Sequence, residues 1–405
     1  MFTISYSGVH QAYQLALAAQ EAGLLDRFYC SFYDAPGKWG HQLSRLLGQE
    51  TTRNRRLEGL DPARIIELPW PELFFKLRGT LTKLPGNAWI TAAGEFDRWA
   101  AKQLQRGCSQ GVVCAENCAY ETFQVAKQRG MRRIYDCPGC NTAVLQQNTE
   151  EAARRTGLAF VSIADTLETT RRKAIELELA EQVLTYSDFH TEGVVARGVA
   201  REHIVQIPLW TDPTFWLPPA IPRIRSKPLK VLFAGGINLR KGVPFLIEAV
   251  KSLAPHACLT LVGSLDPDAK PCLAGSEEFV KVLAPVNKLT LRSIYQAHDV
   301  LVLPSLGDSF GFVAMEAMAC GLPVILTTHC GAPVPDSTWR VPVMNSIAII
   351  ERLNFYLESP GGLETDSVSA RAFALGFTCN RYRSAVGIVL SGDQSAAKDL
   401  TSNNP

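Results

Sequence analysis

The chain has 405 residues, of which 46% are hydrophobic and 20% are charged, with a formal net charge of +2 and a mean hydropathy of +0.01. Since domains commonly hold about 100 to 200 residues, this length predicts two domains. The near-neutral charge argues against a general nucleic-acid binder. The N-terminal sequence MFTISYSGVHQAY lacks the features of a secretory signal, and no apolar run reaches ~18 residues, so we expect a cytoplasmic protein whose eleven cysteines stay reduced.

In the first half, short apolar runs alternate with amphipathic stretches, which is typical of βα units around a parallel sheet. The first unit is the strand FTISYS followed by the helix HQAYQLALAAQEAGL, in which Tyr13, Ala16 and Leu17 recur at helical spacing. Further strands are predicted over residues 111–115, 132–136 and 180–187. The charged segment 154–180 predicts a helix on the surface.

The βα pattern begins again at residue 229, after a Pro-rich segment over 208–228 that can continue neither a helix nor a sheet. Strands are predicted at 229–236, 257–264, 299–305 and 322–327, and helices at 241–253, 289–298 and 313–320. We therefore predict an N-terminal Rossmann-like domain over 1–207, a linker over 208–228 and a C-terminal Rossmann-like domain over 229–391. The last helix is a candidate to pack back on the first domain, and the polar tail 392–405 is expected to be disordered.

A glycine- and cation-rich loop follows the first strand of the second half. Its sequence AGGINLRKGVPF places Gly235 and Gly236 after the strand and Arg240 and Lys241 at the start of a helix. Ligands of parallel sheets bind at such strand ends, and this loop would suit a phosphate or diphosphate. The alternative is a glycine turn with two solvated cations.

A second loop, GDSFG, connects another predicted strand to the helix VAMEAMAC. Gly311 would let backbone N–H groups approach an anion, and Glu316 in the helix could accept hydrogen bonds from the vicinal hydroxyls of a ribose. The alternative is that Asp308 caps the helix and Glu316 is a surface acid. The apolar residues around Glu316 argue against a surface position.

Together, residues 232–250 and 299–325 resemble the donor-binding half of glycosyltransferase family 4, which comprises retaining enzymes that use nucleotide sugars. The segments LAEQVLTYSDFHTEGVVARGV and IPLWTDPTFW resemble the family's end of the first domain and its crossing into the second. The resemblance implies a GT-B fold, in which the parallel sheets of two Rossmann-like α/β domains face each other across a cleft. It also implies transfer of a sugar from a donor such as a UDP- or GDP-sugar to a hydroxyl of a saccharide or lipid-linked acceptor, in polysaccharide or glycolipid synthesis and without a metal.

The resemblance also implies roles for individual residues. Glu316 would hold the ribose hydroxyls, Asp308 would contact the transferred sugar, and the cations of the first loop would neutralise the leaving diphosphate. The implied catalytic residues are Asp308, Lys241, Arg240 and His10. The implied donor-binding residues are Gly8, Gly235, Gly236, Arg240, Lys241, Phe310, Gly311, Phe312, Val313 and Glu316, with backbone N–H groups of 310–313 near the distal phosphate.

The sequence departs from the family pattern at three places. The first acid is usually Glu, whereas this chain has Asp308, which is one methylene shorter. Many members carry Arg where this chain has Gly236, and Arg240 would supply that charge from another direction. Many members also place a His at a later strand end of the first domain, where this chain has none, so that Glu116 or Asp136 would have to serve there.

Two further segments leave alternatives open. Cys114, Cys118, Cys137 and Cys140 could form a zinc or iron–sulfur site, but their irregular spacing favours buried or cleft-lining thiols. Apolar residues edged by cations over 70–84 could contact an anionic membrane surface, or could form an ordinary amphipathic helix.

Two rival functions follow from the same residues. The departures at Asp308 and Gly236 allow a protein that binds a nucleotide sugar without transferring it. A dinucleotide-dependent oxidoreductase is disfavoured because neither half has G-x-G-x-x-G after its first strand.

Overall fold

The first domain is built on a fully parallel seven-stranded sheet. The computed structural model describes residues 1–8, 11–47, 55–81, 88–160, 162, 165–221 and 227–393. The strands of this sheet are β1 (Phe2–Ser5), β2 (Leu25–Cys30), β3 (Ile65–Glu67), β4 (Gly111–Ala115), β5 (Arg132–Asp136), β6 (Gln182–Thr185) and β7 (Ile204–Gln206). Their spatial order is β3-β2-β1-β4-β5-β6-β7. Every residue of β1 and β4 is buried, as expected for a parallel sheet that helices cover on both faces.

Eight helices accompany this sheet in the described part of the chain. They are α1 (Ala12–Glu21), α2 (Trp39–Leu47), α3 (Trp70–Leu81), α4 (Ala88–Arg106), α5 (Tyr120–Gln128), α6 (Thr142–Thr156), α7 (Leu167–Leu179) and α8 (Asp188–Val195). The described linker residues 208–221 form neither helix nor strand.

The second domain has a fully parallel six-stranded sheet in the order β10-β9-β8-β11-β12-β13. Its strands are β8 (Leu229–Ala234), β9 (Ala257–Val262), β10 (Val280–Leu283), β11 (Val300–Leu303), β12 (Val324–Thr327) and β13 (Arg340–Val341). Its helices are α9 (Val243–Leu253), α10 (Lys288–Ala297), α11 (Phe312–Ala319), α12 (Ser346–Glu358), α13 (Pro360–Ala374) and α14 (Cys379–Ser391). The predicted α/β fold with two parallel sheets is confirmed.

The strand order explains why particular loops meet. In each sheet, successive strands are first added on one side of the first strand and later strands on its other side. This switch lies between β1 and β4 in the first sheet and between β8 and β11 in the second. The loops that leave such neighbouring strands diverge to opposite faces and open a crevice between them. The glycine- and cation-rich loop leaves β8 and the GDSFG loop leaves β11, so these two loops lie side by side in the fold.

Two details of the first half differ from the sequence-based expectation. The segment 154–180 is interrupted, because α6 ends at Thr156 with Gly157 in a left-handed conformation and α7 begins only at Leu167. The part predicted to lie on the surface also contains Glu176, which is fully buried. In the described part of the whole chain, five strands were not predicted. Three of them, β3, β7 and β13, have only two or three residues. The other two, β2 and β10, carry charged residues that interrupt the apolar run.

Two helices contribute contacts between the two domains. From α14, Arg383 donates to Glu21 Oε2 at 2.8 Å and to Gln14 Oε1 at 3.2 Å, which attaches the last helix to α1. Helix α6 belongs to the first domain by sequence but packs on the second. Side chains of α6 and of the second domain form one apolar cluster. Helix α6 contributes Leu145, Ala152 and Ala153, and the second domain contributes Leu239, Phe245 and Leu306.

Candidate functional site

The loop after β8 ends in a single turn of 3-10 helix, Leu239–Lys241, that presents two cations. Asn238 precedes this turn, and its Oδ1 accepts a hydrogen bond from Lys241 N at 3.0 Å. Its Nδ2 donates to Asp266 Oδ2 at 2.9 Å, which ties the loop to the neighbouring loop after β9. Lys241 is therefore held at its backbone, while its side chain extends from the turn.

Gly242 lets this loop pass directly beneath β11. Its φ is +69°, and a Cβ at this position would overlap the carbonyl oxygen of Pro304. Only glycine adopts such a conformation at low cost and with so little space. Gly242 also begins α9, so the backbone that carries Lys241 is fixed between a strand end and a helix start.

The loop after β11 folds around the carboxylate of Asp308. Asp308 Oδ1 accepts hydrogen bonds from Gly311 N at 3.0 Å and, more weakly, from Phe310 N at 3.4 Å. Gly311, with φ of +75°, begins α11, and a Cβ there would lie 2.9 Å from Cys330 Sγ. Asp308 thus stabilises the turn before α11, and the helix itself receives no side-chain cap.

The two loops are joined by an ion pair between Lys241 Nζ and Asp308 Oδ2. Both side chains remain about one-fifth exposed, so the pair lies at the surface of the crevice rather than in the core. No described residue forms an ion pair or a side-chain hydrogen bond with Arg240, whose backbone carbonyl accepts from Leu306 N at 3.0 Å. The structure thus brings Lys241 and Asp308 together and leaves the Arg240 guanidinium available for a ligand.

Glu316 lies on α11, among side chains that are fully buried. Its Oε2 accepts a hydrogen bond from the hydroxyl of Tyr295 at 3.1 Å, and its Oε1 has no hydrogen-bond partner among the described residues. Burial raises the pKa of Glu316 to about 7, although the Tyr295 hydroxyl and the charge of Lys288 oppose the shift. Glu316 is therefore not a fully exposed surface acid, and one of its oxygens can accept further hydrogen bonds.

In the first domain, the loop after the central strand β1 contains Gly8, which was predicted to bind the donor. Gly8 is buried, and a Cβ there would meet the ring of Tyr6. The carbonyl of Ser7 accepts hydrogen bonds from Ser31 Oγ at 2.6 Å and from Arg55 at 3.4 Å, which fixes this loop from two sides. His10 lies outside the described residues, so its role stays a prediction.

The two acids considered in place of the missing histidine have different environments. Asp136 is fully buried, receives hydrogen bonds from Gln11 Nε2 and the Tyr186 hydroxyl, and has its pKa raised to about 7 by burial. Glu116 lies 3.6 Å from Lys173 and 3.9 Å from Arg197. Asp136 is thus enclosed and joins elements of the first domain, whereas Glu116 belongs to a charged cluster.

The four cysteines of the first domain behave as separate thiols. Cys114, Cys118 and Cys137 are fully buried, and burial raises the pKa of Cys118 to about 12. Cys140 is half-buried near Asp308 and the cations of the second domain, and burial raises its pKa to about 11. In the described ranges, no group of three or more His, Cys, Asp or Glu residues is arranged to hold a metal ion.

Several residues that shape the crevice were not identified from the sequence. They are Asn238, Gly242, Tyr295 and, from the first domain, Asn148. A tyrosine at a buried helical position needs a hydrogen-bond partner, so Tyr295 carried a usable signal. Asn148 carried none, because its partners are far away in sequence.

Much of the second domain is similar to a known protein family. Residues 228–358 match the family model of the group 1 glycosyl transferases. Over 143 residues the chain is 36% identical to the D-inositol 3-phosphate glycosyltransferase of Arthrobacter sp. (strain FB24). That match covers 31% of this chain and 34% of the relative, so the chain spans about a third of the relative's length.

Two solved structures resemble nearly the whole chain. Sucrose-phosphate synthase from Thermosynechococcus elongatus superposes with a TM-score of 0.70 at 20% identity, covering 98% of this chain and 99% of that one. Anabaena HepE in complex with UDP-glucose superposes with a TM-score of 0.63 at 15% identity, covering 96% of this chain and 99% of that one. These likenesses confirm the predicted GT-B fold. Among the described residues, no helix combines the length and apolarity needed to cross a bilayer.

Proposed function

We propose that this chain, whose second domain resembles the group 1 glycosyl transferases, is a retaining glycosyltransferase that moves a sugar from a nucleoside diphosphate sugar to an acceptor hydroxyl. The acceptor would be a saccharide or a lipid-linked saccharide, in polysaccharide or glycolipid synthesis. Named glycosyltransferases among the relatives and the UDP-glucose complex of the HepE neighbour support a nucleotide-sugar donor.

The observation that carries this proposal is the meeting of the two loops at the crevice of the second sheet. Lys241 and Arg240 come from the loop after β8, and Asp308 comes from the loop after β11. Glu316, one to two turns into α11, offers a carboxylate oxygen for ribose hydroxyls. The cations and the backbone N–H groups suit the phosphates of a nucleotide, and the Glu316 carboxylate suits its ribose. These groups therefore follow one another in the same order as the phosphates and the ribose of a nucleotide.

In the proposed reaction the bond between the sugar C1 and the phosphate oxygen breaks, and a bond from C1 to the acceptor oxygen forms on the same face. The acceptor proton moves to the leaving phosphate oxygen, so no protein nucleophile is required. Lys241 and Arg240 neutralise the negative charge that develops on the diphosphate, which is the main stabilisation such a transition state needs. We propose that no metal is required.

The first test is a thermal-shift screen against UDP, GDP, UDP-glucose and GDP-mannose, since a ligand that binds only the folded protein raises its Tm. Release of nucleoside diphosphate from the sugar that binds is then measured. Lys241→Ala is expected to lower turnover at least tenfold through loss of charge-assisted contacts, whereas Lys251→Ala, on the exposed side of α9, should not. Near-normal turnover in Lys241→Ala would contradict the assignment.

The same assay separates an enzyme from a protein that only binds a nucleotide sugar. Slow donor hydrolysis by the wild-type protein, lost in Glu316→Ala, indicates an enzyme. Binding of the sugar nucleotide without hydrolysis or transfer to any acceptor indicates the non-catalytic alternative.

We further propose peripheral contact with the inner face of a membrane by a cytoplasmic protein. On α2 and α3, the exposed fraction is 43% for Trp39, 56% for Trp70 and 68% for Phe74, and the two indole rings lie 5.4 Å apart. Part of the predicted segment 70–84 lies outside the described residues. Exposed aromatic side chains beside basic residues suit an anionic bilayer surface.

Co-sedimentation with vesicles tests this contact. Binding to phosphatidylglycerol-containing vesicles should exceed binding to phosphatidylcholine vesicles and should fall in Trp70→Ser/Phe74→Ser. Leu167→Ser is the control, because Leu167 is 92% exposed on α7, away from these helices in sequence. Equal sedimentation with both vesicle types would remove the proposal.

A further inference from the structure

Asn148, on α6 of the first domain, reaches the Asp308 loop of the second domain. Its Nδ2 lies 2.9 Å from Leu306 O and 2.9 Å from His329 Nδ1. An amide nitrogen carries two protons and can donate to both acceptors at once. His329 Nδ1 also lies 3.3 Å from Leu306 O, so the three groups form one polar cluster.

Both acceptors are directly connected to Asp308. Leu306 precedes it by two residues, and the carbonyl of His329 accepts a hydrogen bond from Asp308 N at 2.9 Å. Gly331 N donates to Asp308 O at 2.8 Å on the other side. Asn148 therefore contacts the backbone of the segment before Asp308 and the His329 side chain of the segment that pairs with it.

A second contact from the first domain holds the residue after Asp308. Ser187 Oγ accepts the N–H of His190 at 3.2 Å, which caps α8, and donates to Ser309 O at 2.7 Å. Ser309 Oγ in turn donates to Pro138 O at 2.9 Å. The Asp308 loop is thus fixed from the first domain on both sides of the carboxylate.

The packing around these hydrogen bonds leaves little freedom. Leu306 is fully buried in the apolar cluster that α6 shares with the second domain. A Cβ on Gly307 would lie 2.9 Å from Leu145 Cδ1, so α6 rests against the backbone of the loop itself. A change at Asn148 is therefore transmitted to the loop rather than absorbed by an empty space.

We propose that Asn148 is a positioning residue for sugar transfer. From the first domain it fixes the backbone of the Asp308 loop, and thereby sets where the Asp308 carboxylate meets the transferred sugar. This inference rests on the proposed function. Lys241 pairs with Asp308, so a displaced loop also changes the affinity for a diphosphate, whereas Glu316, which is assigned to the ribose, lies on α11. Asn148 therefore acts on turnover and not on the affinity for a nucleoside monophosphate.

The test compares Asn148→Asp, Asn148→Ala and Gln147→Ala, the last being an exposed neighbour on α6 that serves as control. Asn148→Asp keeps the shape, loses both donors and sets a carboxylate against the Leu306 carbonyl. Release of UDP from UDP-glucose, or of GDP from GDP-mannose, is expected to fall about tenfold or more in both Asn148 variants. The Kd for the nucleoside monophosphate, which lacks the distal phosphate, should stay within about twofold of the wild-type value.

The pH profile provides a readout that a purely structural role would not move. Turnover of Asn148→Asp relative to wild type should rise as the pH is lowered, because a protonated carboxyl regains a donor toward Leu306 O. His329 is the titratable group that faces this position, and donation from its Nδ1 to the carboxyl acts in the same direction. If Asn148→Asp does not fold, Asn148→Ala is used instead, and its turnover should fall while its affinity for the nucleoside monophosphate does not.

The outcomes are distinguishable. An active wild-type protein with unchanged turnover in the Asn148 variants, or with affinity for the nucleoside monophosphate lost in proportion to turnover, overturns only the inference about Asn148. A wild-type protein that binds UDP but neither hydrolyses nor transfers from any donor overturns the proposed function and this inference with it.

Discussion

Lys241 and Asp308 form an ion pair that joins the loops after the two central strands of the second sheet. The same carboxylate accepts the N–H of Gly311 at the start of α11. The cation and the N–H groups that we assign to the donor's distal phosphate are therefore engaged by a carboxylate of the protein itself. A diphosphate that binds there competes with Asp308 for these groups.

Replacing Asp308 by Asn should accordingly strengthen the binding of a nucleoside diphosphate. We expect UDP or GDP to bind about three- to tenfold more tightly, since the positive charge of Lys241 is no longer compensated, while turnover falls through loss of the contact with the sugar. Calorimetric titration measures the affinity, and the nucleoside monophosphate is the control because it lacks the distal phosphate. Unchanged diphosphate affinity would show that Asp308 does not compete.

Replacing Glu316 by Gln should stabilise the protein more at pH 8 than at pH 5. Burial raises the pKa of Glu316 from 4.5 to about 7, so the unfolded chain loses this proton first. Stability therefore falls as pH rises from about 4.5 to 7, and the loss is complete above pH 7. The neutral amide avoids this loss.

For Glu316→Gln we expect the gain in the free energy of unfolding to be larger at pH 8 by about 2 kcal/mol. Urea denaturation at the two pH values measures it. Asp136 and Glu176, whose pKa values burial also raises to about 7, are present in both proteins and cancel in the comparison. A gain that is independent of pH would refute the assignment of the shift to Glu316.

Replacing Gly242 by Ala should destabilise the protein and weaken donor binding together. The left-handed conformation costs a non-glycine residue about 1–2 kcal/mol, and the new Cβ must displace the Pro304 carbonyl, which shifts Lys241 as well. Thermal unfolding and nucleotide titration measure the two effects. Gly361→Ala is the matched control, because a Cβ at this position in α13 has open space and should be neutral or slightly stabilising.

Replacing Asp97 by Ala should destabilise the first domain without affecting the nucleotide site. Asp97 is fully buried and accepts the backbone N–H groups of Glu121 and Thr122 at 2.8 and 3.1 Å, and it pairs with Arg172 at 2.5 Å. Loss of one partner of such a pair costs about 3 kcal/mol. The Tm should fall while UDP affinity at a temperature below unfolding is unchanged, and a matching loss of affinity would contradict this separation.

The sequence by itself determined the central strands and the residues at their ends. Strands β4 and β11 are continuous apolar runs that suit a buried parallel sheet, so their positions could be predicted closely. Strands β3, β7 and β13 were not predicted because two or three residues carry no period, and β2 and β10 were not predicted because charged residues interrupt them. Helix α5 shows the same limit, since Ala119 before it offers no cap and Asp97 of α4 supplies one through space.

Only the tertiary structure decided how the candidate site is assembled. Lys241 and Asp308 are 67 positions apart, and Asn148 and Leu306 are 158 apart. Local pattern fixes what each loop contains, but which loops meet depends on the strand order and on the packing of α6 against the other domain. The sequence therefore identified the acids Asp308 and Glu316, while only the folded chain paired Asp308 with Lys241 and set Asn148 against its loop.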